Sequence, residues 1–153
     1  MVVACAAALV AAIIVMGAMR RRQDGLRETR RHAAIPEFDA RRAELAAEFL
    51  MAAAATGKPR GLRWKAVELG RPVLFAVDRA TGDLVALAPA SISFEAVAGG
   101  GMEDVEAVGN LRSATAVFTH RDGRWTTAGR VVFNLEPGEA LARFGPTLED
   151  FET

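Results

Sequence analysis

Three regimes of hydrophobic and polar patterning follow one another along the chain. Residues 1–19, MVVACAAALVAAIIVMGAM, form an unbroken run without a charged side chain. Residues 36–56, PEFDARRAELAAEFLMAAAAT, place Phe38, Leu45, Phe49 and Ala52 or Ala53 near one face at helical spacing. After Gly57, β-branched and aromatic residues alternate with polar ones, and turn signals recur about every ten residues. This order predicts an α+β protein: an N-terminal transmembrane helix, one long helix packed on an antiparallel sheet, and a short C-terminal helix.

At about 1.5 Å of rise per residue the first run spans about 28 Å, close to the ~30 Å hydrocarbon thickness of a bilayer. It reads as a transmembrane anchor over 1–19, followed by a basic juxtamembrane linker over 20–35 and an α+β domain over 36–153. Arg20, Arg21 and Arg22 follow the run directly. A secretory signal carries its positive charge before the apolar core, so a cleaved signal peptide and an exported domain form the alternative reading. The alanine content also weakens the insertion signal and leaves a peripheral or buried helix as a further alternative. Val2-Val3-Ala4-Cys5 faintly resembles a bacterial lipoprotein box, but no hydrophobic region precedes it. Arginines at the end of an inserted helix stay on the cytoplasmic side, which places the domain in the cytoplasm at the cell membrane.

In the second regime Pro36 suits a first helical turn, and Glu37 and Asp39 suit the positive end of the dipole. Gly57 followed by Pro59 supplies the stop. The third regime predicts strands near 62–69, 73–78, 84–88, 91–97, 113–120 and 124–134. Residues 78–83 and 121–124 offer glycine-containing hairpin turns. Pro72 and Pro89 cannot donate to a ladder, so they are expected at strand ends or edges. A short helix opens at Glu136-Pro137 and runs to Phe144, and the acidic tail to Thr153 is expected to fray.

Charge changes the picture in one respect. The net charge is zero, yet six arginines against Asp24 and Glu28 give +4 over residues 20–34, leaving −4 for the rest. A mildly acidic domain does not present the basic face of a nucleic-acid binder, so no nucleic-acid partner is expected. The basic block belongs to the membrane, with Arg20, Arg21, Arg22, Arg27, Arg30 and Arg31 as candidate contacts to lipid head groups. The single cysteine, Cys5, excludes an intrachain disulfide.

Candidate chemistry is sparse. Residues 99–110, GGGMEDVEAVGN, hold three glycines followed by Glu103, Asp104 and Glu106, carboxylates of the kind that hard cations prefer. Their spacing matches no EF-hand, and the glycines lack both a P-loop and a dinucleotide pattern. Neither His32 nor His120 sits in a metal or dyad spacing, and no nucleophile elbow or carboxylate pair is evident. No cofactor is expected. Trp64 and Trp125 each stand beside basic residues, and Asn110 neighbours Arg112, so these four are candidate contacts for a partner or ligand. The same tryptophans also suit strand positions whose ring packs while the charge stays wet.

The segments RGLRW (60–64), GGGMEDVEAVGNLRSATAVF (99–118) and GRWTTAGRVVFNLEP (123–137) resemble an uncharacterised family of short bacterial proteins. The resemblance implies a coherent domain and no activity. The helix-then-strands order also resembles a cystatin- or NTF2-like layout, a likeness of fold alone. The leading expectation is a membrane-anchored, non-enzymatic protein that binds a protein partner or ligand. A divalent-metal or carboxylate-dependent enzyme using the 99–110 loop is the alternative from another class.

Overall fold

Alanine, leucine, glutamate and arginine lose little on entering a helix, and the N-terminal third of the chain is rich in them. The computed structural model describes residues 2–56 and 61–152, with side chains from Ile13 onward. Helix α1 runs over Val2–Ala40 and helix α2 over Arg42–Thr56. The basic segment expected as a linker is helical throughout, and Pro36 lies inside α1 instead of opening a helix. Good helix formers on both sides outweigh the one backbone hydrogen bond that proline removes. The interruption falls at Arg41, where helical bonding persists: Arg41 N–H donates to the Glu37 carbonyl at 3.0 Å and Leu45 N–H to the Arg41 carbonyl at 2.9 Å. The stop expected at Gly57 and Pro59 lies outside the described residues.

Among the described residues no helix is long and apolar enough to cross a membrane. The side chains of residues 1–12, most of the expected anchor, lie outside the described set. The chain divides into two compact units, Met1–Pro36 and Glu37–Thr153. In the first, the side chains of Ile13, Ile14, Val15, Met16 and Met19 are 51–65% exposed.

The second unit is an antiparallel sheet with helices on both faces. Its strands are β1 (Leu62–Leu69), β2 (Leu74–Asp78), β3 (Leu84–Ala96), β4 (Arg112–Arg121), β5 (Arg124–Thr126), β6 (Val131–Phe133) and β7 (Leu148–Asp150). β3 and β4 form its centre, paired from Leu84 opposite His120 to Ile92 opposite Arg112. β1 and β2 lie end to end along the other edge of β3, with Leu69 opposite Ala90 and Leu74 opposite Leu87. β5 and β6 flank β4 in the same way, Thr126 opposite Thr119 and Val131 opposite Ala116. Each flank is thus one long strand broken once, at residues 70–73 and 127–130.

Side chains satisfy the backbone at both breaks. The Arg42 guanidinium of α2 donates to the Gly70 carbonyl at 2.6 Å. At the second break the Thr127 hydroxyl donates to the Val117 carbonyl at 2.9 Å, while Val117 N–H donates to the Arg130 carbonyl at 3.0 Å. The single strand expected over 124–134 is therefore two short strands around a four-residue excursion.

The two strands expected at 84–88 and 91–97 are one, β3, running straight through Pro89. In an extended strand a residue's N–H and C=O point to the same side. The Pro89 carbonyl accepts from Gly70 N–H at 2.7 Å, so its missing donor faces the gap between β1 and β2 and costs the β4 ladder nothing.

One face of β3 presents Leu84, Ala86, Ala88, Ala90, Ile92 and Phe94, all buried. Phe38, Leu45 and Phe49 belong to the same core, and the Phe38 ring meets Phe75, Phe118 and Trp125 edge-on. On the opposite face Ala76, Val85, Leu87 and Leu148 pack with Leu141 and Phe144 of helix α3 (Pro137–Phe144). That helix opens with a reciprocal cap between Glu136 and Glu139.

The tail does not fray. β7 pairs with β2, Leu148 and Phe151 are buried, and Phe151 N–H donates to the Phe75 carbonyl at 2.9 Å. Two apolar anchors outweigh the intervening acidic residues.

Both hairpins form as the glycines predict. At residues 121–124, Asp122 and Gly123 have φ of 53° and 78°, the double positive φ of a tight hairpin turn. The β2–β3 turn is held by the Asp78 carboxylate, which accepts from Ala80 and Thr81 N–H at 2.8 and 3.0 Å.

Asp83 closes that turn against Arg121, whose Nε donates to it at 2.8 Å. Burial pushes the Asp83 carboxyl up, but the Arg121 and Thr81 hydrogen bonds hold it below its ordinary value of 3.8. A depressed folded value means the pair stabilises fully above the unfolded value and is lost as pH falls through the folded one. Asp83→Asn should therefore be slightly destabilising at pH 7, since the Arg121 side of the pair is exposed to solvent screening, and the difference from wild type should shrink between pH 7 and pH 2. Urea unfolding at the two pH values measures this; an equal difference at both would show that the ion pair is not its source.

Candidate functional site

The sheet's two ends differ in how well they are covered. At the end where β1 begins, Trp64 sits opposite Phe94, and their rings lie 4.9 Å apart. Phe133 of β6 stands 6.3 Å from Trp64 and 6.4 Å from Phe94, and is 41% exposed. Sheet pairing assembles this trio from strands far apart in the chain. Val97, Val105 and Leu111, in the segments that continue from β3 and into β4, are 44%, 42% and 71% exposed. This end therefore leaves Phe133 and aliphatic side chains of its connections in contact with solvent.

The 99–110 loop is built, not loose. Glu103 accepts from Gly99 N–H, and backbone hydrogen bonds, its own among them, hold its carboxyl below the usual range. Val108 is buried within the 3-10 turn Glu106–Gly109. Gly100 approaches Gly61 so closely that an added Cβ would lie 2.8 Å from the Gly61 Cα. Asp104 and Glu106 remain exposed. Among the described residues no three His, Cys, Asp or Glu side chains come together to hold a metal ion. Glu103 works as a brace for the loop.

The four expected contact residues separate into two places. Asn110 and Arg112 lie at the same end as Trp64: Arg112 pairs with Ile92 and its guanidinium donates to the Ala107 carbonyl at 3.3 Å. Trp125 is at the other end, opposite His120, which itself pairs with Leu84. Ten residues of β3 separate the Phe94 and Leu84 positions, about 33 Å at strand rise. Trp125 is 1% exposed, its ring 5.0 Å from Phe38 and 5.1 Å from His120. It is a core residue there. His120 Nε2 lies 3.9 Å from a Glu37 carboxylate oxygen, a neighbour the sequence did not reveal.

A separate cleft of about 110 Å³ opens on the α3 face, lined by Asp78, Thr119, Arg130, Phe144, Thr147 and the apolar floor of the sheet. The Arg130 guanidinium lies over the Phe144 ring, 4.5 Å from its centroid. The cleft is below the ~300–1,000 Å³ of ordinary small-molecule sites, so it suits at most a few atoms. Trp64 was the sequence signal for the aromatic end; Phe94 alternates with Ser93 and Glu95, Phe133 carries no such pattern, and only cross-strand register joins them to Trp64.

Comparison with protein-family models, with curated proteins and with solved structures returns no match to this chain.

Proposed function

We propose that the protein is a membrane-attached, non-enzymatic binding protein whose α+β domain lies in the cytoplasm and contacts a protein partner. The observation that carries the attachment is the exposure of Ile13, Ile14, Val15 and Met16. Four consecutive helical residues point about 100° apart, so together they cover every side of the helix. A helix apolar all round needs a cover of lipid or protein. The uncharged run and the arginines directly after it favour lipid, and the arginines place the chain after them on the cytoplasmic side. The half-open aromatic end with Trp64, Phe133 and Leu111 supports the binding role.

Carbonate extraction of membranes from cells expressing the full chain tests the attachment. The protein should stay with the membranes, and Ile13→Arg with Ile14→Arg should move most of it to the supernatant, since each arginine inside a bilayer costs about 2.5–3.5 kcal/mol. Wild-type protein in the supernatant, or a variant that stays bound, would defeat the attachment. A reporter fused after Thr153 that works only outside the cytoplasm would defeat the orientation.

A further inference from the structure

We infer that anionic glycerophospholipids are recognised chiefly by a collar of Arg20, Arg21 and Arg22, and that Arg30 and Arg31 do not take part. This rests on the membrane attachment proposed above. Had residues 20–35 formed a loose linker, all six arginines could lie along the head groups. They are helical instead, so each arginine has a fixed height along the axis. Arg27 stands about 7.5 Å beyond Arg22, at the edge of reach, whereas Arg30 and Arg31 stand about 12 and 13.5 Å beyond it. The screening length at physiological salt is about 8 Å.

Charge along the helix sharpens the division. The collar carries +3 within one turn, with its three side chains spread over about 200° of the helix circumference. Residues 23–32 carry Arg27, Arg30 and Arg31 against Asp24 and Glu28, 3 − 2 = +1. Glu28, already counted in that sum, lies 3.7 Å from Arg31 and 3.6 Å from His32, so Arg31 has its counter-charge within the helix. A helix lying flat on the surface would bring all six arginines to the lipid. That pose leaves some of Ile13, Ile14, Val15 and Met16 in water, whichever side is turned down. Apolar exposure all round thus favours an immersed helix, with the collar at phosphate level.

The test is made on the full chain reconstituted in phosphatidylcholine vesicles containing a minority of phosphatidylglycerol, at physiological salt. Two quantities are read: flotation with the vesicles, and the preference of spin-labelled phosphatidylglycerol over spin-labelled phosphatidylcholine for the lipid shell around the protein. One arginine at the surface is worth about a fivefold preference. Wild type should float and favour phosphatidylglycerol. Replacing Arg20, Arg21 and Arg22 together by Gln should lower the preference at least about fivefold, while the same change at Arg30 and Arg31 should alter it less than about twofold. Both variants should still float. If both variants lose the preference equally, or the collar variant keeps it, the collar is wrong while attachment stands. If wild-type protein does not float, attachment and collar fall together.

Discussion

Phe38→Ala is expected to remove about 3–5 kcal/mol from the stability of the second unit. The side chain is fully buried, with ring centroids of Trp125, Phe118 and Phe75 at 5.0, 5.2 and 6.1 Å. These neighbours come from β2, β4 and β5, so no single element can shift to fill the space. The loss combines apolar transfer with an unfilled cavity, and it is a large part of the ~5–15 kcal/mol that holds a typical domain together. Met51→Ala is the control: Met51 is 67% exposed on α2, and its change should stay within about 0.5 kcal/mol. Denaturant unfolding of the full chain, followed by tryptophan fluorescence, measures both. A loss below about 1 kcal/mol for Phe38→Ala would mean that the ring cluster is not packed as described.

Gly129→Ala should be nearly as damaging, although it adds only one methyl group. Gly129 has φ of 72°, and a Cβ there would fall 2.3 Å from the Ala53 nitrogen and 2.6 Å from the Ala52 carbonyl carbon. The obstacle is helix backbone, which cannot rotate aside. Strain at positive φ of about 1–2 kcal/mol adds to an overpacking cost of about 1–3 kcal/mol. Gly123 separates the two terms: its φ is 78°, but nothing lies within 4 Å of its added Cβ. Gly123→Ala should cost only the backbone part, about 1–2 kcal/mol. Equal losses at the two sites would show that the 127–130 excursion does not press on α2.

How much of this was legible in the sequence depended on whether a feature is local. The strands β1, β2 and β4, the two hairpin turns and helix α3 follow from alternation, glycine placement and caps, all set within a few residues. The breaks in the flanking strands are set across the sheet. Thr126, Thr127 and Ala128 read as a strand that continues, and only the approach to Ala52 and Ala53 explains why Gly129 comes next. Pro89 suggested an interruption because the side to which its absent donor points depends on where Gly70 lies. Pro36 suggested a helix start because proline is common there, and the helix formers before it were read as a linker. In the tail, Glu149, Asp150 and Glu152 masked Leu148 and Phe151, whose spacing of three shows no strand alternation.

The candidate contacts divide in the same way. Trp64 and Trp125 look alike in sequence, each preceded by arginine on a short strand. Pairing partners separate them: Trp64 joins Phe94 and Phe133 at the open end, while Trp125 closes on Phe38. The loop carboxylates looked like ligands because spacing does not show that Glu103 is already engaged with Gly99.

The placement of Pro89 has a consequence for how the sheet comes apart. β1 and β2 share β3 as a common neighbour and meet only where residues 70–73 link them, at the point where the proline offers no donor. The ladder along that edge therefore consists of two zippers in tandem on one spine. One can open without unfastening the other. The β1 zipper ends in the half-exposed aromatic cluster, whereas the β2 zipper is backed by β7 and α3. Amide protons on the β1 side should accordingly exchange through a lower-energy local opening than those of β2, so the half-exposed aromatic end is also the end most ready to yield.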